Sequence, residues 1–283
     1  MTKKIKTIVD LRDELTETRK LKKKISLVPT MGNIHEGHLS LIKNAQKQSD
    51  YVVVSIFVNP TQFVAGEDFN EYPRTLNSDI ELISKLNVNL VFIPEAIELY
   101  PMNNKISTEV SIPELESIYC GKHRPGHFRG VATIVSKLFN IVQPDIAIFG
   151  EKDYQQLLII RSLVKNLFLP IEIISLPTVR EASGLAMSSR NNYLTEPERQ
   201  KAPMLYECIK TTVNLIINGA KDYEKLEREA KLFLEKAGFK IEYYNICDSE
   251  TLGPVQGKIL VVLAAVWLGK TRLIDNATVH TYD

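Results

Sequence analysis

Along residues 1–176 of this chain, short runs of β-branched and aromatic residues alternate with segments of helical period, and no other feature restricts the possible folds as much. The runs are "ISLVPT", "YVVVSIFV", "VNLVFIP", "DIAIFG" and "IEIISL"; the segments between them read as helices over 39–48, 76–86, 131–142 and 154–168. Strands that are apolar along their whole length bury both faces of a sheet, which calls for parallel strands joined by helical crossovers. The pattern predicts an α/β fold, a Rossmann-like parallel sheet. Ligands of such sheets sit beyond the carboxyl ends of the strands. Each polar motif considered below follows a strand, so all of them can converge on one crevice.

After residue 176 the period changes. Helical segments over 196–218 and 223–237 precede strand-like runs over 240–247, 259–267 and 271–276. That order predicts a smaller α+β domain with an antiparallel sheet, so the expected division is 1–176 and 177–283. Trp267, in "VVLAAVWLG", reads as core or as a domain contact rather than a stacking platform.

Charge and cysteine usage narrow the partners. A formal net charge of +1 over 283 residues gives no global field that would recruit nucleic acid or an anionic membrane. The basic run at 19–24 reads as a solvated face beside a helix. No window reaches the ~18 apolar residues that a membrane span needs, and "MTKKIKTIVDLRDEL" is too polar for a signal peptide. Cys120, Cys208 and Cys247 are far apart and odd in number, which suits thiols in a reducing compartment. The expectation is a cytoplasmic protein whose partners are neither nucleic acid nor membrane.

The stretch "SLVPTMGNIHEGHLSLIKNA" sets His35 and His38 around Gly37 at the junction of a strand and a helix. Backbone amides at a helix start lack intrahelical partners and carry partial positive charge, so the position suits phosphate. Glycine lets the ligand approach the backbone, and two imidazoles can donate to phosphate oxygens as charge builds on them. Core duty is the ordinary fate of a histidine, and zinc is a further reading. The HExxH spacing is missing, however, and no third ligand stands nearby.

Four more stretches carry polar groups. "FVNPTQF" holds Asn59 and Gln62 in a Pro-turned loop, where amides could both donate to and accept from a hydroxyl- and carboxylate-bearing substrate, although Asn-Pro is also plain turn punctuation. In "IFGEKDYQQL", Lys152 can neutralise a phosphate and Asp153 can accept from ribose hydroxyls, while Gln156 lies one turn further on. Taken alone, this stretch is also an ordinary helix start with Asp153 as N-cap. "MSSRNNYL" offers Ser188, Ser189 and Arg190 in a flexible, glycine-preceded segment, with a polar interdomain linker as the lesser reading. The loop over 120–131, "CGKHRPGHFRGV", reads as a second anion site, a lid or a surface loop. Cys120 has no evident chemical task there.

Together these strings carry a resemblance. "TMGNIHEGHLSL" is similar to the His-x-Gly-His signature of the nucleotidylyltransferase superfamily. "VPTMGNIHEGH", "SIFVNPTQF", "YPRTLNSD", "HFRGVATIVSKLFNIVQPDIAIFGEKDYQQL" and "LAMSSRNNYLT", in that order, resemble the pantothenate synthetases, the ligases of pantoate and β-alanine. The resemblance covers most of residues 25–200 and is looser after that.

It implies that ATP converts pantoate to pantoyl adenylate and that β-alanine then displaces AMP. It implies catalytic roles for His35, His38, Lys152, Ser188 and Arg190, the last two on a loop like the superfamily's KMSKS segment. The ATP contacts it implies are Met31, Gly32, Asn33, Ile34, His35, Glu36, Gly37, His38, Gly150, Glu151, Lys152, Asp153, Val179, Met187, Ser188, Ser189 and Arg190. Gln62, Gln156 and Asn59 would hold pantoate and β-alanine. Mg2+ is expected with ATP. Asp79 is the family-like ligand, with Ser78 where relatives carry a second acid. A homodimer is implied by resemblance alone.

Two other functions compete. A nucleotidyltransferase acting on a phosphorylated alcohol would want Arg and Lys in its acceptor pocket rather than these amides. A nucleotide sensor without turnover would have no use for groups that assist a leaving pyrophosphate.

Overall fold

The β-branched runs become strands, and the segments of helical period become helices, in the computed structural model, which describes residues 2–101 and 108–281. In chain order the first part contains β1 (Lys3–Ile5), α1 (Ile8–Lys20), β2 (Ile25–Thr30), α2 (Glu36–Gln48), β3 (Tyr51–Ile56), α3 (Leu76–Lys85) and β4 (Leu90–Phe92). There follow the short helices α4 (Ala96–Leu99), α5 (Pro113–Glu116) and α6 (Tyr119–His123), then α7 (His127–Val142), β5 (Ile146–Gly150), α8 (Tyr154–Asn166) and β6 (Glu172–Leu176).

The six strands form one sheet in the order β1-β4-β3-β2-β5-β6, with every pairing parallel. Side chains alternate between its faces. Leu27, Val53 and Ala147 enter a core with Leu11 and Leu15 of α1, Val135 and Leu138 of α7 and Ile160 of α8. Val28, Val54 and Ile148 enter the opposite core with Leu39 and Ile42 of α2 and Ile83 of α3. Both faces are therefore covered, as the apolar runs require. From β2 the chain adds strands outward to β4 and then returns to place β5 on the other side of β2. The order of strands thus reverses between β2 and β5, and the carboxyl ends at that switch point are where such sheets bind ligands.

The second part contains α9 (Glu196–Lys201), α10 (Met204–Ile217), α11 (Tyr223–Lys236) and strands β7 (Lys240–Asp248), β8 (Ile259–Leu268) and β9 (Thr271–His280) in an antiparallel sheet ordered β7-β8-β9. Leu260, Val262, Ala264 and Val266 of β8 pack with Leu205 and Ile209 of α10 and Leu234 of α11. The single helix expected over 196–218 divides at Ala202 and Pro203, because proline lacks the N–H that would continue the ladder. Trp267 is partly buried, and its indole donates to Glu242 at 3.0 Å.

By internal contact the chain divides into two units, Met1–Glu151 with Gln155–Pro177, and Lys152–Tyr154 with Thr178–Asp283. Among the described residues no helix is long and apolar enough to cross a membrane.

Candidate active site

β2 ends at Thr30, and the chain turns through Gly32 (φ +80°) and Asn33 (φ +49°) before α2 begins. The turn leaves no room for a side chain at Gly32, where a Cβ would meet Asp79 Oδ2 at 3.0 Å and Ile56 Cγ2 at 3.3 Å. Ile34 is 7% exposed and packs in the core beneath the turn. His35 is the N-cap of α2: its Nδ1 accepts the Gly37 N–H at 3.1 Å, and His38 Nδ1 accepts the His35 N–H at 3.3 Å. A ring nitrogen that accepts an N–H carries no proton, so both neutral imidazoles hold theirs on Nε2. The ring centroids are 4.1 Å apart. The helix start thus carries two Nε2–H donors side by side, at the positive end of the helix. Glu36 is exposed and lies 3.9 Å from Lys43.

Asp79, in the first turn of α3, is 2% exposed. Its Oδ2 accepts from Asn33 N at 3.0 Å, and its Oδ1 from Ile34 N at 2.8 Å and Thr75 Oγ1 at 3.0 Å. The expectation of a metal ligand thus falls on a carboxylate that already accepts from three donors of the protein. Among the described residues no group of three or more His, Cys, Asp or Glu could hold a metal.

After β3, Asn59 caps a short turn over Pro60–Gln62. Asn59 is 1% exposed and fully engaged. Its Nδ2 donates to Gln62 Oε1 at 3.2 Å and Gly130 O at 3.1 Å, while its Oδ1 accepts from Thr61 Oγ1 at 3.0 Å and Tyr100 Oη at 2.9 Å. Its amide nitrogen and oxygen are thus both engaged within the protein, one of them on Gln62. Gln62 Nε2 donates to a thioether, Met31 Sδ at 2.8 Å, a weak acceptor that a carboxylate or hydroxyl oxygen outcompetes.

The loop over 120–131 braces this turn. His127 Nδ1 meets Gln62 O at 2.6 Å, and Arg124 pairs through two nitrogens with Glu67, at 2.5 and 2.7 Å. That pairing spends the Arg124 charge inside the protein, so the reading of this loop as a second anion site fails for Arg124. Sequence reasoning missed Glu67 and Tyr100, which stand in unremarkable strings.

Gly150 ends β5, and Glu151 accepts from Ser175 Oγ at 2.8 Å, which ties it to β6. The adjacent amides of α8 have different tasks. Gln155 is 5% exposed, donates to Leu115 O at 2.7 Å and Ile118 O at 2.9 Å, and accepts from Cys120 N at 3.1 Å. Gln156, by contrast, is only half-buried.

In the second unit, the Lys152 carbonyl accepts from Asn276 Nδ2 at 2.9 Å, and the Tyr154 hydroxyl donates to Ser249 O at 2.9 Å. Lys152 Nζ lies 3.9 Å from Asp153 Oδ2, and the Asp153 side chain is 49% exposed. Met187 N donates to Val179 O at 2.9 Å, and Arg180 forms an isolated antiparallel bridge with Ala186. Ser188 Oγ accepts from Arg190 N at 3.3 Å and opens the turn Ser189–Tyr193.

Arg180 pairs with Asp275 at 2.6 and 2.9 Å and lies 3.2 Å over the Tyr206 ring, while Asn191 donates to Glu181 Oε1 at 2.9 Å and Ala186 O at 3.0 Å. No local pattern marks Arg180 or Asp275, because they lie 95 positions apart.

The chain is similar to known proteins over nearly its whole length. The family described as Pantoate-beta-alanine ligase matches residues 3–278. A pantothenate synthetase of Hahella chejuensis is 51% identical over 278 residues, covering 98% of both chains. The crystal structure of a pantothenate synthetase from Thermus thermophilus superposes with a TM-score of 0.91 at 40% identity, covering 98% of this chain and 99% of that one. A pantoate-beta-alanine ligase from Francisella tularensis, complexed with β-γ ATP and β-alanine, gives a TM-score of 0.79 at 37% identity and covers 98% and 97%.

Proposed function

The chain belongs to the pantoate-beta-alanine ligase family, and from that premise we propose which of its residues carry the ATP-dependent condensation of pantoate with β-alanine. The reaction makes pantothenate, AMP and pyrophosphate through a pantoyl adenylate. A carboxylate is a poor electrophile, so pantoate first attacks the α-phosphate of ATP and pyrophosphate leaves. The amine of β-alanine then displaces AMP from the mixed anhydride.

The observation that carries the assignment is the pair of Nε2–H donors fixed by His35 and His38 at the start of α2. In the first half-reaction they donate to phosphate oxygens whose negative charge grows in the transition state, and being preorganised they need no rearrangement to do so. Gly32, Asn33 and Gly37 supply the backbone approach. Met31, Ile34 and Glu36 complete the segment without a chemical task of their own. Gly150 and Glu151 bound the nucleotide at the end of β5. Lys152, Ser188, Ser189 and Arg190 neutralise phosphate and the departing pyrophosphate. Asp153 accepts from ribose, and Val179 and Met187 line the base.

Gln62 and Gln156 bind the hydroxyls and carboxylate of pantoate, with Asn59 holding Gln62 in place. Residues 1–176 form the ATP- and pantoate-binding domain and residues 177–283 the smaller domain, to which Lys152–Tyr154 belong by contact. Among the described residues no group of three or more His, Cys, Asp or Glu could hold a metal, and Mg2+ would enter with ATP, on phosphate oxygens and water. A homodimer in the cytoplasm completes the reading.

The test is pantoate-dependent exchange of labelled pyrophosphate into ATP, with β-alanine absent. Exchange, followed by pantothenate when β-alanine is added, is the expected result. Folded protein that binds ATP without exchanging would refute a separate adenylation step.

A further inference from the structure

We infer that Asp79 is a positioning residue for the adenylation step: from α3 it fixes the two residues that precede His35 and so sets where the imidazole donors point. The inference rests on the reading of His35 and His38 as phosphate donors. Four observations carry it. Asp79 is buried, with 2% exposure, so water does not satisfy its carboxylate. Its two oxygens divide between consecutive peptide groups, Oδ2 on Asn33 N and Oδ1 on Ile34 N, across 46 and 45 positions of sequence. The turn so held is one the chain avoids on its own, because Asn33 sits at φ +49° directly after Gly32 at φ +80°. Finally, the next residue is His35, extended at φ −135° and ψ 175°, whose ring and backbone both take part in capping α2.

The carboxylate is itself held from the other side by Thr75 Oγ1, the N-cap residue of α3, at 3.0 Å. The chain of contacts therefore runs from the start of α3 through one buried charge to the start of α2. It explains why an acid is needed here. An amide in the same place presents one acceptor and one donor, and whichever way it turns, either the Asn33 or the Ile34 N–H faces another N–H. It explains Gly32 as well, because a Cβ there would reach to 3.0 Å from Asp79 Oδ2 and displace it.

The test is Asp79→Asn in the full chain. Readouts are pantoate-dependent pyrophosphate exchange, its dependence on pantoate and on Mg2+, thermal unfolding, and the Cε1–H proton resonances of His35 and His38. Misplacing donors by a fraction of an ångström costs rate rather than binding. The turnover of exchange should fall roughly 10- to 100-fold, with the pantoate KM and the Mg2+ concentration for half-maximal rate unchanged and the two histidine resonances displaced. A variant with wild-type turnover would overturn the inference, whether or not it unfolds earlier. So would one whose loss is recovered by raising Mg2+, which would make Asp79 a metal ligand.

Should Asp79→Asn fail to accumulate folded, Gly32→Ala disturbs the same carboxylate without removing its charge. The same pattern in that variant supports the inference, and wild-type turnover sinks it. Wild-type protein is the control: if it shows no exchange, the adenylation reading fails, and not this one.

Discussion

His35 and His38 hold one helix start between them, each ring accepting a backbone N–H through Nδ1, with centroids 4.1 Å apart. The same imidazole therefore has a structural end and a chemical end, and substitutions can separate them. In His38→Asn the side-chain oxygen can stand where Nδ1 stood, so the cap survives and the distal donor is lost. Stability should stay near wild type while pyrophosphate exchange falls roughly 10²-fold, the usual cost of deleting one preorganised donor. His38→Gln keeps a distal N–H and should retain more activity while losing about 1 kcal/mol of stability with the cap. Exchange rates and urea denaturation on both variants check this. If His38→Asn kept full exchange, the donor role would be wrong.

Gln62 is placed by Asn59 and faces Met31 Sδ, so its amide is oriented before substrate arrives. Removing it should cost pantoate and spare ATP. For Gln62→Ala the pantoate KM should rise roughly tenfold or more, the loss of a hydrogen bond to a charged group. The ATP dissociation constant, measured by calorimetry, should not move. Weakened ATP binding with an unchanged response to pantoate would sink the assignment.

What the sequence made legible was whatever depends on local periodicity. Apolar runs became a parallel sheet because their continuity demands two covered faces, and His35 and His38 could be placed at a helix start because strand, glycine and helix adjoin there. What stayed hidden depends on partners distant in the chain. Asn59 and Gln62 are alike as amides, and nothing local signals that Asn59 will bond to Gly130 O and Tyr100 Oη. Nor does anything near Asp79 signal the two backbone amides more than forty residues away that donate to it. Lys152–Tyr154 read as part of the first domain, since nothing local signals that Asn276 and Ser249 will claim them. Strand β1 escaped notice because "KKI" has too few residues for any period to show.

Asp248 makes the acid stability of the second unit predictable. It accepts from Thr251 N and Glu250 N, both at 3.0 Å, and from Gly257 N at 3.2 Å, and these bonds hold its carboxyl below the usual aspartate range, the Thr251 amide foremost. A depressed folded-state pKa stabilises above the unfolded-state value of about 4 and is lost as pH falls through the folded value. Asp248→Ala should therefore cost about 2 kcal/mol at neutral pH, and the gap to wild type should close below about pH 4. Trp267, the single tryptophan, lies on the neighbouring strand and reports the transition by fluorescence in urea. A gap that persisted unchanged into acid would refute the ionic origin of the effect.

Gly130 sits where α7 comes closest to the turn that carries Gln62, and a Cβ there would stand 2.3 Å from Thr61 O and 2.7 Å from Gln62 N. Neither neighbour is a flexible side-chain end, so backbone must move. The Gly130 carbonyl also accepts from Asn59 Nδ2, so the same shift loosens the amide that orients Gln62. Gly130→Ala should lower stability by about 1–3 kcal/mol, the range for overpacking a closed core. Its pantoate KM should rise in the same direction as that of Gln62→Ala. Because the damage passes through Gln62, the double variant Gly130→Ala/Gln62→Ala should have nearly the pantoate KM of Gln62→Ala alone, while the stability loss of Gly130→Ala remains. Additive effects on KM would mean that Gly130 acts on pantoate by another route.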